Sequence, residues 1–145
     1  MNIMKRSKSD RSERLYEAAI LTREQVGGAR GFWQPLMRSL ALHGHTDAMI
    51  VIADLLTETG SIVPMEAFAL YYRAYKAGDG RAAYNLAISY FNVNDLTRYR
   101  YWLKRASNLG FEDAALEYSL FETRLPHPTA RRIRRLRPLR KYEKY

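Results

Sequence analysis

The sequence predicts an all-α fold, a right-handed α-solenoid of three to four helical hairpins. Two observations carry this expectation. Nowhere in the 145 residues do apolar and polar side chains alternate convincingly with period two, so strands are not expected. Three segments repeat in register: GHTDAMIVIADLL from Gly44, GDGRAAYNLAISY from Gly78 and GFEDAALEYSLFE from Gly110, with the glycines 34 and then 32 residues apart. A period of this length marks stacked supersecondary units, each unable to bury both of its faces alone.

The expected helices run near 9–26, 31–43, 46–58, 64–77, 80–91, 95–109 and 112–123. Each repeat glycine follows an apolar-periodic run and supplies the left-handed residue that ends a helix. Four residues after each glycine comes an alanine: Ala48, Ala82 and Ala114. Five residues further comes a second small residue (Ala53, Ala87, Ser119), preceded by a bulky one (Ile52, Leu86, Tyr118). Small residues at fixed positions let helix backbones approach, and the bulky neighbour fills the groove beside them. Backwards from the glycines, LYYRAYKAG (70–78) aligns with WLKRASNLG (102–110), while LMRSLALHG (36–44) fits less well. Pro64 suits a first helical turn, and Thr46 and Asp95 are expected N-caps.

Composition sets the remaining limits. The chain is 47% hydrophobic and 27% charged, with eleven Tyr and two Trp, which is enough apolar bulk for one domain with a continuous core. With no cysteine, there is no disulfide framework, thiolate metal site or cysteine nucleophile. The longest strongly apolar run, AMIVIADLL at 48–56, is broken by Asp54 and too short to span a bilayer, so membrane insertion is not expected. The opening MNIMKRSKSDRSERL has basic residues with no apolar stretch after them, so no secretory signal is expected either.

The formal charge of +9 is concentrated at one end. Residues 124–145 hold nine of the 24 Lys+Arg and one of the 15 Asp+Glu, leaving residues 1–123 almost neutral. The expected organisation is a flexible basic N-terminus (1–8), a helical-repeat domain (9–123) and an Arg-rich tail or capping helix (124–145). In the tail, Thr129 can cap a short helix ended by Pro138, with Ala130, Ile133 and Leu136 on one face. Its basic side chains are Arg131, Arg132, Arg134, Arg135, Arg137, Arg140 and Lys141. Three readings stand: a cap on the open end of the solenoid, a sequence-nonspecific patch for nucleic acid or a membrane surface, or an arm for an acidic partner.

No catalytic constellation rises above background. His43 and His45 flank Gly44 with only Asp47 nearby, and His127 stands apart, so the histidines read as surface turn residues rather than metal ligands. Glu112 and Asp113 begin a helix, where the dipole favours negative charge. The GGARG stretch (27–31) has no preceding strand and no following Lys-Ser/Thr, which makes it a helix–helix turn rather than a phosphate loop. No cofactor is expected. The aromatic residues are more informative. Tyr71, Tyr84, Phe91 and Trp102 are expected in the core. Consecutive helical residues cannot all face inward, so some tyrosines reach the surface among arginines, the pairing that binding hot spots favour. The candidate partner-binding residues of this pairing are Tyr72, Tyr75, Arg98, Arg100 and Tyr101.

The repeat itself resembles the Sel1-like family of the tetratricopeptide superfamily. The best-matching segment is RAAYNLAISYFNVNDLTRYRYWLKRASNLG (81–110), followed by TDAMIVIADLLTETGSIVPMEAFALYYRAYKAG (46–78). Two features depart from the family pattern. Ala53-Asp54 and Ala87-Ile88 stand where a small residue and glycine are usual, and the loop from Asn92 to Asp95 is short. The resemblance implies a non-enzymatic protein-binding module whose concave face is lined by the first helices of successive repeats, which adds Tyr84, Asn85, Ser89 and Asn92 to the candidate partner-binding residues. Short bacterial members resemble antidotes encoded beside secreted toxins. This implies a cytoplasmic immunity-type protein that occludes a toxin domain, and the basic charge of the chain suits an acidic target. The alternatives are a scaffold for multiprotein assembly and nucleic-acid binding through the tail.

Overall fold

The structure, a computed structural model, describes residues 3–25, 33–58, 60 and 62–124. Among these residues there are seven helices and no strand: α1 (Ile3–Gln25), α2 (Trp33–Leu42), α3 (Thr46–Thr57), α4 (Met65–Lys76), α5 (Gly80–Asn92), α6 (Leu96–Asn108) and α7 (Glu112–Arg124). The fold is all-α and proceeds as successive helical hairpins of the solenoid type. Helix ends fall within two residues of expectation, except that α1 begins at Ile3 rather than near residue 9. The GGARG turn, His127 and the tail arginines with Lys141 lie outside the described residues. The chain divides into two compact units after Ile52, within α3. The first holds α1, α2 and the start of α3; the second holds the rest of α3 and α4 to α7.

The three repeat glycines carry the turns. Gly44, Gly78 and Gly110 have φ of 96°, 96° and 81°. At each, two hydrogen bonds close the end of the helix. The Gly78 N–H donates to the Tyr75 carbonyl and the Asp79 N–H to that of Ala74. Gly44 and His45 bond to Ala41 and Leu40 in the same way, as do Gly110 and Phe111 to Ser107 and Ala106. This paired closure satisfies carbonyls that a helix end would leave orphaned. A fourth copy joins α5 to α6, where Asn94 (φ 59°) and Asp95 donate to Phe91 and Tyr90. Asparagine is the usual substitute for glycine in this conformation. A methyl group at Gly78 would meet open space, so Gly78→Ala costs only backbone strain. It should destabilise by about 1–2 kcal/mol and lower Tm by roughly 4–8 °C, whereas Asn94→Gly should leave Tm unchanged or raise it. Thermal unfolding of the two variants beside the unaltered chain checks this.

The small and bulky repeat positions are packed as expected. Ala48, Ala82, Ala114, Ala53, Ala87, Leu86 and Ile52 are all buried. The third copy departs: Ser119 is exposed and Tyr118 half-buried, on a face of α7 that also exposes Leu116 and Leu120.

Caps refine the expected helix starts. Asp95 caps α6, accepting from the Arg98 N–H at 3.0 Å. Asp79 caps α5 in the same manner through the Arg81 N–H. Thr46, expected as a cap, is instead the first residue of α3, and His45 takes the capping position. The His45 Nδ1 accepts from the Ala48 N–H at 3.3 Å. Its Nε2 lies 3.1 Å from Glu13 Oε2, and its ring stacks on Tyr16 at 4.8 Å. With its side chain only 8% exposed, His45 is a packed cap rather than a surface turn residue. Pro64 stands one residue before α4, at its cap position, and makes no side-chain cap.

Candidate protein-binding face

Within the second unit, two helix pairs are stitched together by different chemistry. The first helices of the repeats are joined by polar links. Asp54, near the end of α3, accepts from the Tyr71 hydroxyl of α4 and from Asn85 Nδ2 of α5 (3.1 Å). Glu117 of α7 accepts from the Tyr84 hydroxyl of α5 (2.7 Å) and the Tyr99 hydroxyl of α6 (3.0 Å). Asn85 and Glu117 occupy the same repeat position, three residues after the conserved-spacing alanine, so successive repeats place a polar link at equivalent points.

The second helices, α4 and α6, are joined by rings. Trp102 is buried at the centre of this cluster. Phe68, Tyr72 and Tyr75 of α4 meet it edge-on, with centroids at 5.9, 6.2 and 5.4 Å. Tyr101 meets it at 5.3 Å and nearly perpendicular. The Arg105 guanidinium lies 3.7 Å above the Tyr101 ring, a close cation–π stack. Tyr72, Tyr75 and Tyr101 are half-buried, so each packs its ring against Trp102 while part of it meets solvent.

The nine candidate residues therefore do not share one place. Tyr72, Tyr75 and Tyr101 share the ring cluster. Tyr84 and Asn85 are half-buried and engaged in the links between repeats. Ser89 is buried and donates to the Asn85 carbonyl at 2.9 Å, so it presents no surface to a partner. Asn92 is exposed at the end of α5. Arg98 is half-buried, bonded to Asp95 and positioned over the Tyr90 ring. Arg100 donates to the Tyr118 hydroxyl at 2.9 Å. Of the four residues expected in the core, Tyr71 and Trp102 are buried, Tyr84 is half-buried and Phe91 is 53% exposed, while Tyr90 and Tyr99 are buried. Neighbouring helical residues point about 100° apart, and Tyr90 takes the inward direction. Three charged contributors were absent from the candidate set: Asp54, Glu117 and Arg105. Asp54 was visible as the one acid interrupting an apolar run, at a place where the resembled family has glycine.

The links leave a titration signature. The bond to Glu117, with burial behind it, pushes the Tyr84 phenol up to about 12 from 10.0. Burial, reinforced by Asp54, raises Tyr71 well above the ordinary range. Burial and then Glu117 raise Tyr99 likewise. A phenol with a raised folded-state pKa stabilises the fold fully below its unfolded value. That contribution is lost as pH rises above 10, because the unfolded chain releases a proton that the folded chain retains. Ultraviolet titration should show Tyr71, Tyr84 and Tyr99 ionising above the ordinary tyrosine range, with stability falling as pH climbs from about 10 towards 12. Glu117→Gln should return Tyr84 towards its ordinary value.

No group of three or more metal-ligating side chains occurs among the described residues, and no helix among them is long and apolar enough to cross a membrane.

Comparison with known proteins finds a short similarity. The Sel1-repeat-containing protein YjcO of Escherichia coli strain K12 is 46% identical over 44 residues, 30% of this chain. The uncharacterized proteins YjcO of Escherichia coli O157:H7 and Shigella flexneri match over the same extent. The chain spans about a fifth (19%) of the length of these curated relatives. This similarity supports the Sel1-like repeat resemblance. No family profile matches the chain, and no solved structure matches it.

Proposed function

We propose that the chain is a non-enzymatic protein-binding repeat module. The observation that carries this reading is the Trp102 cluster: half-exposed Tyr72 and Tyr75 held by ring contacts from α4 to Trp102 of α6, and half-exposed Tyr101 held within α6 between Trp102 and the stacked Arg105. Such side chains lose little conformational freedom on docking, so more of their contact energy appears as affinity. The similarity to a Sel1-repeat-containing protein supports the same reading. The finer form is an immunity-type protein of the cytoplasm that docks on a toxin domain and blocks its active-site rim. Occlusion of this kind needs a rigid, shape-complementary face and no chemistry.

Affinity capture with the full chain, at moderate and high salt, tests the proposal. A single protein in near-stoichiometric amount that persists at high salt is the expected result. If that protein is a toxin, loss of its activity on binding supports the finer form. Recovery of nucleic acid alone, lost at high salt, would overturn the module reading in favour of the tail.

A further inference from the structure

We infer that the α4–α6 face of the second unit is built for an acidic protein segment, and that this face, rather than the Arg-rich tail, sets partner choice. The inference rests on the protein-binding reading above. Its starting point is a charge segregation hidden by the near-neutral total of residues 1–123. Helices α4 and α6 carry Arg73, Lys76, Arg98, Arg100, Lys104 and Arg105 against one acid, Glu66 in the first turn of α4. Helices α5 and α7 carry Arg81 and Arg124 against Glu112, Asp113, Glu117 and Glu122. The two pairs of helices thus hold opposite charge.

The cations of α4 and α6 divide further. Arg98 is committed to Asp95, and Arg100 to Tyr118. Arg73, Lys76 and Lys104 are exposed, and among the described residues no carboxylate pairs with them. On α4, Lys76 stands four residues after Tyr72 and three after Arg73, and on α6 Lys104 and Arg105 stand three and four residues after Tyr101, the spacings of helix-surface neighbours. Arg73, Lys76 and Arg105 stand near helix C-termini, where the dipole favours cations, which is how the fold tolerates them together.

The same geometry favours protein over nucleic acid at Tyr101. Base stacking needs an open ring face, and Arg105 already covers one face of that ring. Stacking occupies the face of the guanidinium and leaves its N–H edge oriented for a carboxylate, which it can take with two bonds. Phenol hydroxyls and exposed ammonium groups extend this along the two helices. A segment carrying Asp and Glu with an apolar or aromatic anchor complements the face.

The test uses the full chain and a labelled synthetic Asp/Glu-rich peptide, its Asn/Gln counterpart, and a single-stranded oligonucleotide, at about 0.15 M salt. One variant carries Arg73→Glu, Lys76→Glu and Lys104→Glu. A second carries Arg131, Arg132, Arg134, Arg135 and Arg137 each replaced by Gln. The three reversed side chains are exposed, so the helical circular dichroism of that variant should stay near that of the unaltered chain, while the new carboxylates at positions 73 and 76 oppose the α4 dipole and should lower Tm without unfolding the protein. Acidic-peptide affinity should fall at least about tenfold in the first variant and by less than about threefold in the second. The Asn/Gln peptide should bind weakly to all three proteins. Loss confined to the tail variant would overturn the inference, as would a first variant whose oligonucleotide affinity falls as far as its peptide affinity. Repeating the capture with the first variant separates the two claims. A partner held as tightly as before sinks the face assignment while leaving the module reading intact, and no protein partner for the unaltered chain sinks the module reading itself.

Discussion

Trp102→Ala should destabilise the chain by about 3–5 kcal/mol, a large share of the roughly 5–15 kcal/mol that holds a domain of this size together. Trp102 is 2% exposed and is met by Phe68, Tyr72, Tyr75 and Tyr101. Removing it deletes the largest apolar body in the cluster and leaves a cavity whose walls come from two helices. It also ends several edge-on ring contacts, each worth about 0.5–1.5 kcal/mol beyond area burial. Trp102→Phe keeps a ring and should recover more than half of the loss. Urea unfolding of the three proteins provides the comparison. A loss below about 1 kcal/mol for Trp102→Ala would mean that α4 and α6 are not joined through this residue. The functional consequence follows from the same contacts: tyrosines without Trp102 behind them are no longer held for docking.

The second large effect belongs to Asp54. Asp54→Ala removes the acceptor for the Tyr71 hydroxyl and for Asn85 Nδ2. Tyr71 is 1% exposed, so its hydroxyl has little access to replacement water. Leaving a buried donor without an acceptor costs about 1–3 kcal/mol, and the lost bonds run to a charged group, so the expected total is about 2–4 kcal/mol. Tyr71→Phe removes the donor itself and should be milder. The double variant should be less destabilised than the sum of the singles, with a coupling of about 1–2 kcal/mol, because one hydrogen bond is shared between them. Simple additivity in denaturant titrations would contradict the link. Asp54→Asn keeps an acceptor and should fall between alanine and the unaltered chain.

The elements that were legible in the sequence are those fixed by local chemistry. Gly44, Gly78 and Gly110 each end a helix with positive φ because a left-handed residue is needed there, and glycine adopts that conformation without strain. Ala48, Ala82 and Ala114 are buried, each four residues after a repeat glycine, where the repeat keeps the side chain small. Asp95 caps α6 because its carboxylate reaches an N–H three residues on. What the sequence left open depends on which way a side chain turns between helices. Tyr90 and Phe91 are adjacent and similarly apolar, and only the packing of α5 against its neighbours decides that Tyr90 faces inward. Ser89 looked like a surface hydroxyl, but it is buried and bonds back onto its own helix. The charge segregation was missed for another reason. A net charge summed over the chain cancels the acids of α7 against the bases of α4 and α6, and only the helix order separates them.

Hydrogen exchange of the full chain, alone and with the protein it captures, tests the central claim most directly. The account predicts slowed exchange in the partner-bound state for the amides of residues 72–76 on α4 and 101–105 on α6, with little change along α7. Protection confined to residues 125–145, with α4 and α6 exchanging as in the free chain, would contradict it and make the arginine-rich tail the binding element.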